Sequence, residues 1–179
     1  IKRTIYIPHH PEEQENDMEH SYSLAMAAWF LAQYFDHIDR DKVIRLALVH
    51  DLVEIYAGDV FAYDAQADRT AKKDCEFAAL ARLKQEWPDF NEFTTDLQEY
   101  EERETAEAKF VYALDKVMPA VINYIGDGYA WHKWGITIEK FREEKEQKVA
   151  VSPEVNEYYK ELYNLLLKNP HLLPTRSGA

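Results

Sequence analysis

The sequence predicts an all-α fold, a compact bundle of about six or more helices in a single domain over 1–179. Apolar residues recur at helical spacing along most of the chain, and we find no alternating strand pattern. Glycine is scarce, with five residues in 179 and none between Gly58 and Gly126. With 46% hydrophobic residues the chain can bury one sizeable core, whose main part we place in 16–135.

Capping residues, glycine and proline set the boundaries of the first five predicted helices. Asn16 and Glu19 form a capping box before the first helix, and Gly58 ends the second. Pro88 ends the third helix, and Pro119 is placed to bend the fifth. The predicted helices therefore cover about 19–35, 41–57, 69–87, 91–102 and 105–124.

The last part of the chain contains a predicted loop and a final helix. Glycines at both ends of 126–135 predict a loop there. Ser152 is a good helix cap, and Pro153 suits the first helical position that follows it. The sequence therefore predicts a C-terminal helix over about 153–168.

Charge and composition exclude several classes of protein. Asp and Glu number 33 against 21 Lys and Arg, which gives a formal net charge of −12 and argues against binding nucleic acid or an anionic membrane. The longest apolar run, 24–32, is too short to span a bilayer. No basic segment followed by an apolar stretch opens the sequence, so we expect no secretory signal. Cys75 alone cannot form a disulfide within the chain, and we expect it to pack in the core. We expect a soluble cytoplasmic protein.

Several polar residues lie on the apolar faces of three predicted helices. His20 lies on the apolar face of the first helix, and Asp115 lies on that of the fifth. His50 lies on that of the second, with Asp51 beside it and Glu54 one turn further on. Buried carboxylates are costly unless they are paired or hold a metal, and imidazole and carboxylate both suit divalent ions. We therefore predict that His20, His50, Asp51 and Asp115 hold one divalent metal ion.

Plainer interpretations exist for each residue taken alone. His20 could be a hydrogen-bonded core histidine, Asp51 could pair with Arg45 or Lys116, and Glu54 could be solvated at a helix end. Their joint occurrence on three apolar faces favours a metal site. The ligand types do not distinguish Mn, Co, Fe, Ni, Zn or Mg.

Four segments carry a resemblance to a known family: 15–21, 50–55, 58–59 and 113–116. Together they resemble the HD superfamily of metal-dependent phosphohydrolases, nearest to the bacterial 5′-deoxynucleotidases and their uncharacterised relatives. The resemblance extends from Arg3 to at least Trp134. It implies a compact helical domain, often a homodimer, that binds one divalent metal ion. It also implies an enzyme that hydrolyses deoxynucleoside 5′-monophosphates.

The resemblance also implies roles for individual residues. The residues that match the family's metal ligands are His20, His50, Asp51 and Asp115. Glu54 matches the glutamate that acts on the attacking water, and Asp59 matches an aspartate that is needed for activity. Arg3 stands where relatives contact the phosphate, and Tyr6 stands where some relatives carry tryptophan. The family's adjacent Arg-Trp pair is not present, so the preference between deoxyribose and ribose stays open.

Cations near the site are the other candidates for substrate binding. The site of a net acidic protein must supply its own positive field, and the candidates besides Arg3 are Lys72, Lys73 and Lys116. We assign Lys73 as a further substrate contact, although the Lys72–Lys73 pair would also suit a solvated helix face.

Histidine spacing and ligand content leave a limited set of alternatives. Two-metal HD enzymes have extra histidines before the last aspartate, and this chain has none over 52–131, which favours one metal. A nucleoside triphosphate or alarmone phosphohydrolase of the same superfamily remains open. A non-catalytic HD-fold binding module is the third alternative.

Overall fold

The structure is a computed structural model and describes residues 2–58, 63 and 69–175. Helices make up most of these residues, which confirms the predicted all-α class. The elements are β1 (Lys2–Ile7), β2 (His10–Asn16), α1 (Asp17–Ala32), α2 (Arg40–Val49), α3 (Glu54–Ala57), α4 (Arg69–Glu86), α5 (Asn91–Glu102), α6 (Ala106–Ile125), α7 (Tyr129–Trp134), α8 (Ile138–Val149) and α9 (Pro153–Lys168), followed by a short 3₁₀ turn, Pro170–Leu172. None of these helices is long and apolar enough to cross a membrane.

The chain divides into two compact units. One contains Asp17–Val111, and the other contains Lys2–Asn16 together with the chain from Tyr112 onward. The helix α6 contributes residues to both. The expectation of a single domain over 1–179 stays a prediction.

In the first unit, α1 packs on α2, α5 contacts both α2 and α4, and α4 also contacts the short helix α3. Small residues on the inner face of α1, Ala25, Ala28 and Ala32, let α2 approach closely. A cluster of buried apolar side chains joins α3, α4 and α5, and its members are Val53, Ala79, Leu80, Leu83 and Leu97. At the start of α2, a carboxylate oxygen of Asp39 accepts hydrogen bonds from the backbone N–H groups of Asp41 and Lys42. The first unit therefore presents α1 and α2 side by side, with α2 capped at its N-terminus.

The second unit combines a hairpin with the last helices. The antiparallel strands β1 and β2 pair Tyr6 with Gln14 and Ile7 with His10. Farther along the chain, α7 contacts β1, and α8 packs on α9. Phe141 lies between the rings of Trp131 and Tyr159, with centroids 5.9 Å from each. These aromatic contacts form a core for this unit.

Several helix boundaries agree with the prediction. The helices α5 and α9 have the predicted bounds, and Ser152 caps α9 by accepting from the N–H of Val155.

The predicted helix over 41–57 is two helices, α2 and α3, joined by a tight turn. There the N–H groups of Leu52 and Glu54 donate three residues back, to Val49 and Asp51.

Other predictions were wrong. The loop predicted over 126–135 contains α7, because short helices between glycines leave little periodic signal. The helix α8 was not predicted, because its buried stripe has only one residue per turn: Phe141, Lys145 and Val149. The hairpin was not predicted either, because β2 is polar and does not alternate. Cys75 is exposed and does not pack in the core.

Candidate metal centre

Two histidines meet in the interior of the first unit. His20 is the fourth residue of α1, and His50 directly follows α2, and both are fully buried. Their ring centroids are 5.4 Å apart. Because α1 and α2 pack side by side, each helix brings one imidazole to the same place. The structure thus joins two of the predicted metal ligands.

The ring of His50 is oriented by its own helix. Its Nδ1 donates a hydrogen bond of 2.8 Å to the backbone carbonyl of Ala47, which can only accept. The ring of Tyr100 packs against it edge-on, with centroids 5.4 Å apart. The hydrogen bond places the proton on Nδ1, so in the neutral imidazole Nε2 carries the lone pair.

The lone-pair nitrogen of His50 faces a carboxylate. Its Nε2 lies 3.0 Å from Oδ1 of Asp51. Metal–ligand bonds of about 2.1 Å that meet at right angles place neighbouring ligand atoms about 3.0 Å apart. The spacing of this pair therefore fits two ligands of one divalent ion, and neutral imidazole with carboxylate suits ions of intermediate softness.

Glu54 lies beside this pair, in the tight turn that follows α2. It is the first residue of α3, it is buried, and one of its carboxylate oxygens lies within 4.8 Å of oxygens from Asp17 and Asp51. In a continuous helix, Glu54 would lie about one turn further along the helix axis than His50. The three-residue hydrogen bonds tighten this segment and keep the carboxylate in the same cluster.

Asp17 is a member of the carboxylate cluster that the sequence analysis missed. It is the first residue of α1 and precedes His20 by three residues, so both lie on the same side of the helix. That spacing was a usable signal, since an acidic residue three positions before a predicted ligand belongs to the same helix face.

In the second unit, Asp115 lies between two cations. It is buried on α6, with Oδ2 2.5 Å from Nζ of Lys116 and Oδ1 3.9 Å from a guanidinium nitrogen of Arg3. Nε of Arg3 also lies 3.7 Å from a carboxylate oxygen of Glu15. The strand β1 therefore brings the predicted phosphate contact, Arg3, to the predicted ligand Asp115, which is 112 positions further along the sequence.

A buried lysine of α8 adds to this charged cluster. Lys145 is almost completely buried, and this burial lowers its pKa to about 8. The nearby charge of Lys116 lowers this pKa further, whereas Asp115 and Glu144 oppose the shift. Lys145 lies four residues from both Phe141 and Val149, but the polar sequence of α8 conceals that stripe.

Tyr6 takes part in a separate cluster of aromatic rings around a lysine. Nζ of Lys133 donates a 2.6 Å hydrogen bond to the Tyr6 hydroxyl, and this bond raises the pKa of Lys133. The same ammonium lies 4.4 Å from the centre of the Tyr6 ring, within the range of a cation–π contact. Tyr6 also lines a cavity of about 320 Å³ together with Asn123 and Tyr129. Lys133 is a cation near a predicted substrate contact that the sequence analysis did not single out.

The predicted site residues fall into three groups. Within the first unit, His20, His50, Asp51 and Glu54 lie together, and within the second, Arg3 lies beside Asp115. Asp59 lies outside the described residues, as does the side chain of Lys73. Their predicted roles stay predictions.

Two buried imidazoles beside a carboxylate cluster, in a mainly helical chain, define a class of helical domains that bind a divalent metal ion. Comparison with known proteins shows which family of this class the chain belongs to. The sequence matches the HD domain family over residues 1–156, and the chain belongs to that family. The resemblance given by the four sequence segments is thereby confirmed.

The chain is also similar to curated relatives and to a solved structure. The chain is 39% identical over 121 residues to the 5′-deoxynucleotidase HDDC2 of Xenopus laevis, and 33% identical over 121 residues to that of Homo sapiens. These matches cover 65% of this chain and only 57% and 56% of the two relatives, so the chain spans less than two thirds of their length. A crystal structure of a predicted metal-dependent phosphohydrolase from Magnetospirillum magnetotacticum superposes with a TM-score of 0.80 at 33% identity, covering 97% of this chain and 88% of that one.

Proposed function

We propose that this protein is a metal-dependent phosphomonoesterase that hydrolyses nucleoside 5′-monophosphates, the deoxy forms above all, to nucleoside and phosphate. The observation that carries the proposal is the 3.0 Å pairing of His50 Nε2 with Asp51 Oδ1, with the carboxylate of Glu54 in the same cluster. The name 5′-deoxynucleotidase, borne by relatives at 33–39% identity, supports the substrate class.

One divalent ion is held, in this proposal, by His20, His50, Asp51 and Asp115. The buried imidazoles and the ligand-like spacing of His50 and Asp51 support the first three. Asp115 is included because it matches the last aspartate of the family's motif. When bound, the ion supplies positive charge that favours deprotonation of water and offsets the charge of the phosphate.

Glu54 acts on the water in the chemical step. Its carboxylate accepts a proton while the water oxygen bonds to phosphorus and the bond between phosphorus and the 5′ oxygen breaks. The protonated carboxyl can then return the proton to the leaving 5′ oxygen, so that the products are a nucleoside and inorganic phosphate. Asp59 supports Glu54 in this proposal, and no covalent intermediate with the protein is needed.

The substrate phosphate needs cations besides the metal. Arg3 is the proposed phosphate contact, and its position beside Asp115 supports that role. Tyr6 and Lys73 are the other proposed substrate contacts, and the cavity that Tyr6 lines supports its part in holding a nucleoside. A bidentate guanidinium matches phosphate geometry better than an ammonium does.

Two further expectations belong to the same proposal. We propose that the protein is cytoplasmic and that it forms a homodimer. Besides the second copy, the molecule that it binds is a small nucleotide substrate. The net charge of −12 argues against binding nucleic acid.

Phosphate release from a panel of deoxy- and ribonucleoside 5′-monophosphates, with Mn²⁺ or Co²⁺, tests the proposal. We expect release that a chelator abolishes, that favours deoxy members and that is lost in Glu54→Gln purified in parallel. The parallel variant excludes a contaminating phosphatase. Release from triphosphates or alarmones alone would move the substrate to another branch of the superfamily, and no release from any nucleotide by metal-loaded protein would contradict an enzymatic role.

A further inference from the structure

The helix α1 is apolar on both of its sides. Its inner side contributes Leu24, Ala25 and Ala28 to the core of the first unit. Its outer side exposes six large side chains, each between 45% and 83% accessible: Met18, Tyr22, Met26, Trp29, Phe30 and, just past the helix end, Tyr34. We call these six residues the outer face of α1. A helix that is apolar all round is normally buried on all sides, so we expect another apolar surface to pack on this face.

The six residues form one continuous surface. Met18, Tyr22 and Met26 follow one another at intervals of four, and Trp29 and Phe30 continue the same side. At about 100° per residue, the five members that lie on the helix occupy about a third of its circumference. The side chains thus make a single patch and are not scattered apolar residues of the kind that every surface carries.

The area of this patch is that of a stable interface. Large side chains of these types have roughly 200 Å² of surface each, and the six are about 60% exposed on average. Together they offer roughly 700 Å², close to the ~800 Å² that each partner contributes to an interface of standard size.

The charge of the patch favours a second copy over a charged partner. The protein has a net charge of −12, yet no acidic or basic side chain apart from the buried His20 occurs between Glu19 and Asp36. A cationic partner would be drawn to acidic surface elsewhere on the molecule. Two copies that meet on this neutral face bury their apolar side chains and keep their acidic surfaces apart.

We propose that the outer face of α1 is the dimer interface, in which α1 of one copy packs antiparallel to α1 of the other around a twofold axis near Met26. This inference rests on the homodimer in the proposed function, and it names the surface. Parallel packing would place Asp17 and Glu19 beside the same residues of the second copy. Antiparallel packing separates these acidic residues by about the length of the helix, roughly 20 Å.

Light scattering during gel filtration tests the interface. We expect about twice the chain mass of 21.1 kDa for the wild type, and a monomer for Trp29→Glu, with the dimer dissociation constant raised at least 100-fold. The matched controls are Phe77→Glu on α4 and Leu167→Glu on α9, which place the same charge at other exposed apolar positions and should remain dimeric. Circular dichroism should show that every variant keeps its helices.

Cysteine cross-linking tests the antiparallel geometry, with Cys75 replaced by Ser throughout. Near the twofold axis, Met26→Cys should form a disulfide with its own copy under mild oxidation. Tyr22→Cys should not, because four residues from the axis its two copies lie about 12 Å apart, beyond disulfide reach. Equal cross-linking of both variants would overturn the antiparallel arrangement.

The outcomes separate this inference from the proposed reaction. A wild-type monomer, or a Trp29→Glu variant that dimerises as tightly as the wild type, overturns the interface whatever the phosphatase activity. An inactive wild-type dimer that Trp29→Glu dissociates supports the interface and contradicts the proposed reaction.

Discussion

Nε2 of His50 and Oδ1 of Asp51 lie 3.0 Å apart, although the two residues are neighbours in sequence. Adjacent residues on a regular helix point in different directions, but this pair lies where α2 ends and a tighter turn begins. The carbonyl of Ala47 fixes the proton on the other ring nitrogen, so two acceptor atoms face each other. A cation between them would satisfy both acceptors, and this relationship supports the proposed metal centre.

Replacing Glu54 with Gln should separate chemistry from metal binding. The amide keeps the shape of the side chain but cannot accept the proton, so we expect turnover to fall by about 100-fold or more. Metal content should stay at the wild-type value. Phosphate release and elemental analysis of the purified protein measure the two quantities, with Glu157→Gln on the exposed side of α9 as control. Normal turnover in Glu54→Gln would remove Glu54 from the reaction.

Replacing Asp115 with Asn should weaken metal binding itself. Loss of a charged ligand lowers affinity, and we expect the dissociation constant for Mn²⁺ to rise at least 10-fold by isothermal titration. Chelation should also lower the melting temperature of the wild type, because an ion present at 100 times its dissociation constant stabilises the fold by about 2.7 kcal/mol. In Asp115→Asn, the melting temperatures with metal and with chelator should differ much less than they do in the wild type. Unchanged Mn²⁺ affinity would exclude Asp115 as a ligand.

Part of the fold and site could be predicted from the sequence. The helices α5 and α9 were placed because their boundaries follow from local chemistry, such as the Ser152–Pro153 cap. The cluster of His50, Asp51 and Glu54 was predicted because its members are close in sequence. The hairpin was not predicted. Its second strand, β2, is polar and shows no alternation, and it is held in place by its pairing with β1.

Local sequence patterns could not predict contacts between residues that lie far apart in the sequence. The approach of Arg3 to Asp115 joins residues 112 positions apart, and it depends on where the hairpin packs. The burial of Lys145 was also hidden, since a lysine in a charged helix normally indicates a solvated surface. The cluster around Lys133 and Tyr6 likewise joins β1 to α7, and α7 was expected to be a loop.

Gly128 should tolerate no side chain. Its φ is +72°, and an added Cβ would lie 1.9 Å from the carbonyl oxygen of Leu172. Gly135 is the matched control, since its φ of +61° is also left-handed and nothing lies within 4 Å of an added Cβ. Gly135→Ala should cost about 1–2 kcal/mol in the free energy of unfolding from backbone strain alone. Gly128→Ala should cost at least about 2 kcal/mol more because of the clash, as measured by urea denaturation. Equal losses would show that the backbone near Leu172 can move aside.

Tyr159 should make stability fall at alkaline pH. Its ring is buried against Phe141, and no described residue offers its hydroxyl a hydrogen-bond partner. Burial raises the pKa of Tyr159 to about 12 from a usual value of 10. Below pH 10 the hydroxyl is neutral in both the folded and the unfolded chain. Between pH 10 and 12 the unfolded chain loses the proton first, so the free energy of unfolding falls as the pH rises.

Tyr159→Phe should remove this pH dependence and retain the ring contacts. At pH 8 we expect the free energy of unfolding to stay within about 0.5 kcal/mol of the wild type or to rise, because no described hydrogen bond is lost. At pH 11 the variant should gain about 1.4 kcal/mol on the wild type, which corresponds to one pKa unit of linkage. Urea denaturation at the two pH values measures both differences, with Tyr163→Phe, whose ring also stacks on Tyr159, as control. If the free energies of unfolding of Tyr159→Phe and the wild type differed by the same amount at pH 8 and pH 11, the prediction would be wrong. The hydroxyl of Tyr159 would then ionise as readily in the folded protein as in the unfolded chain.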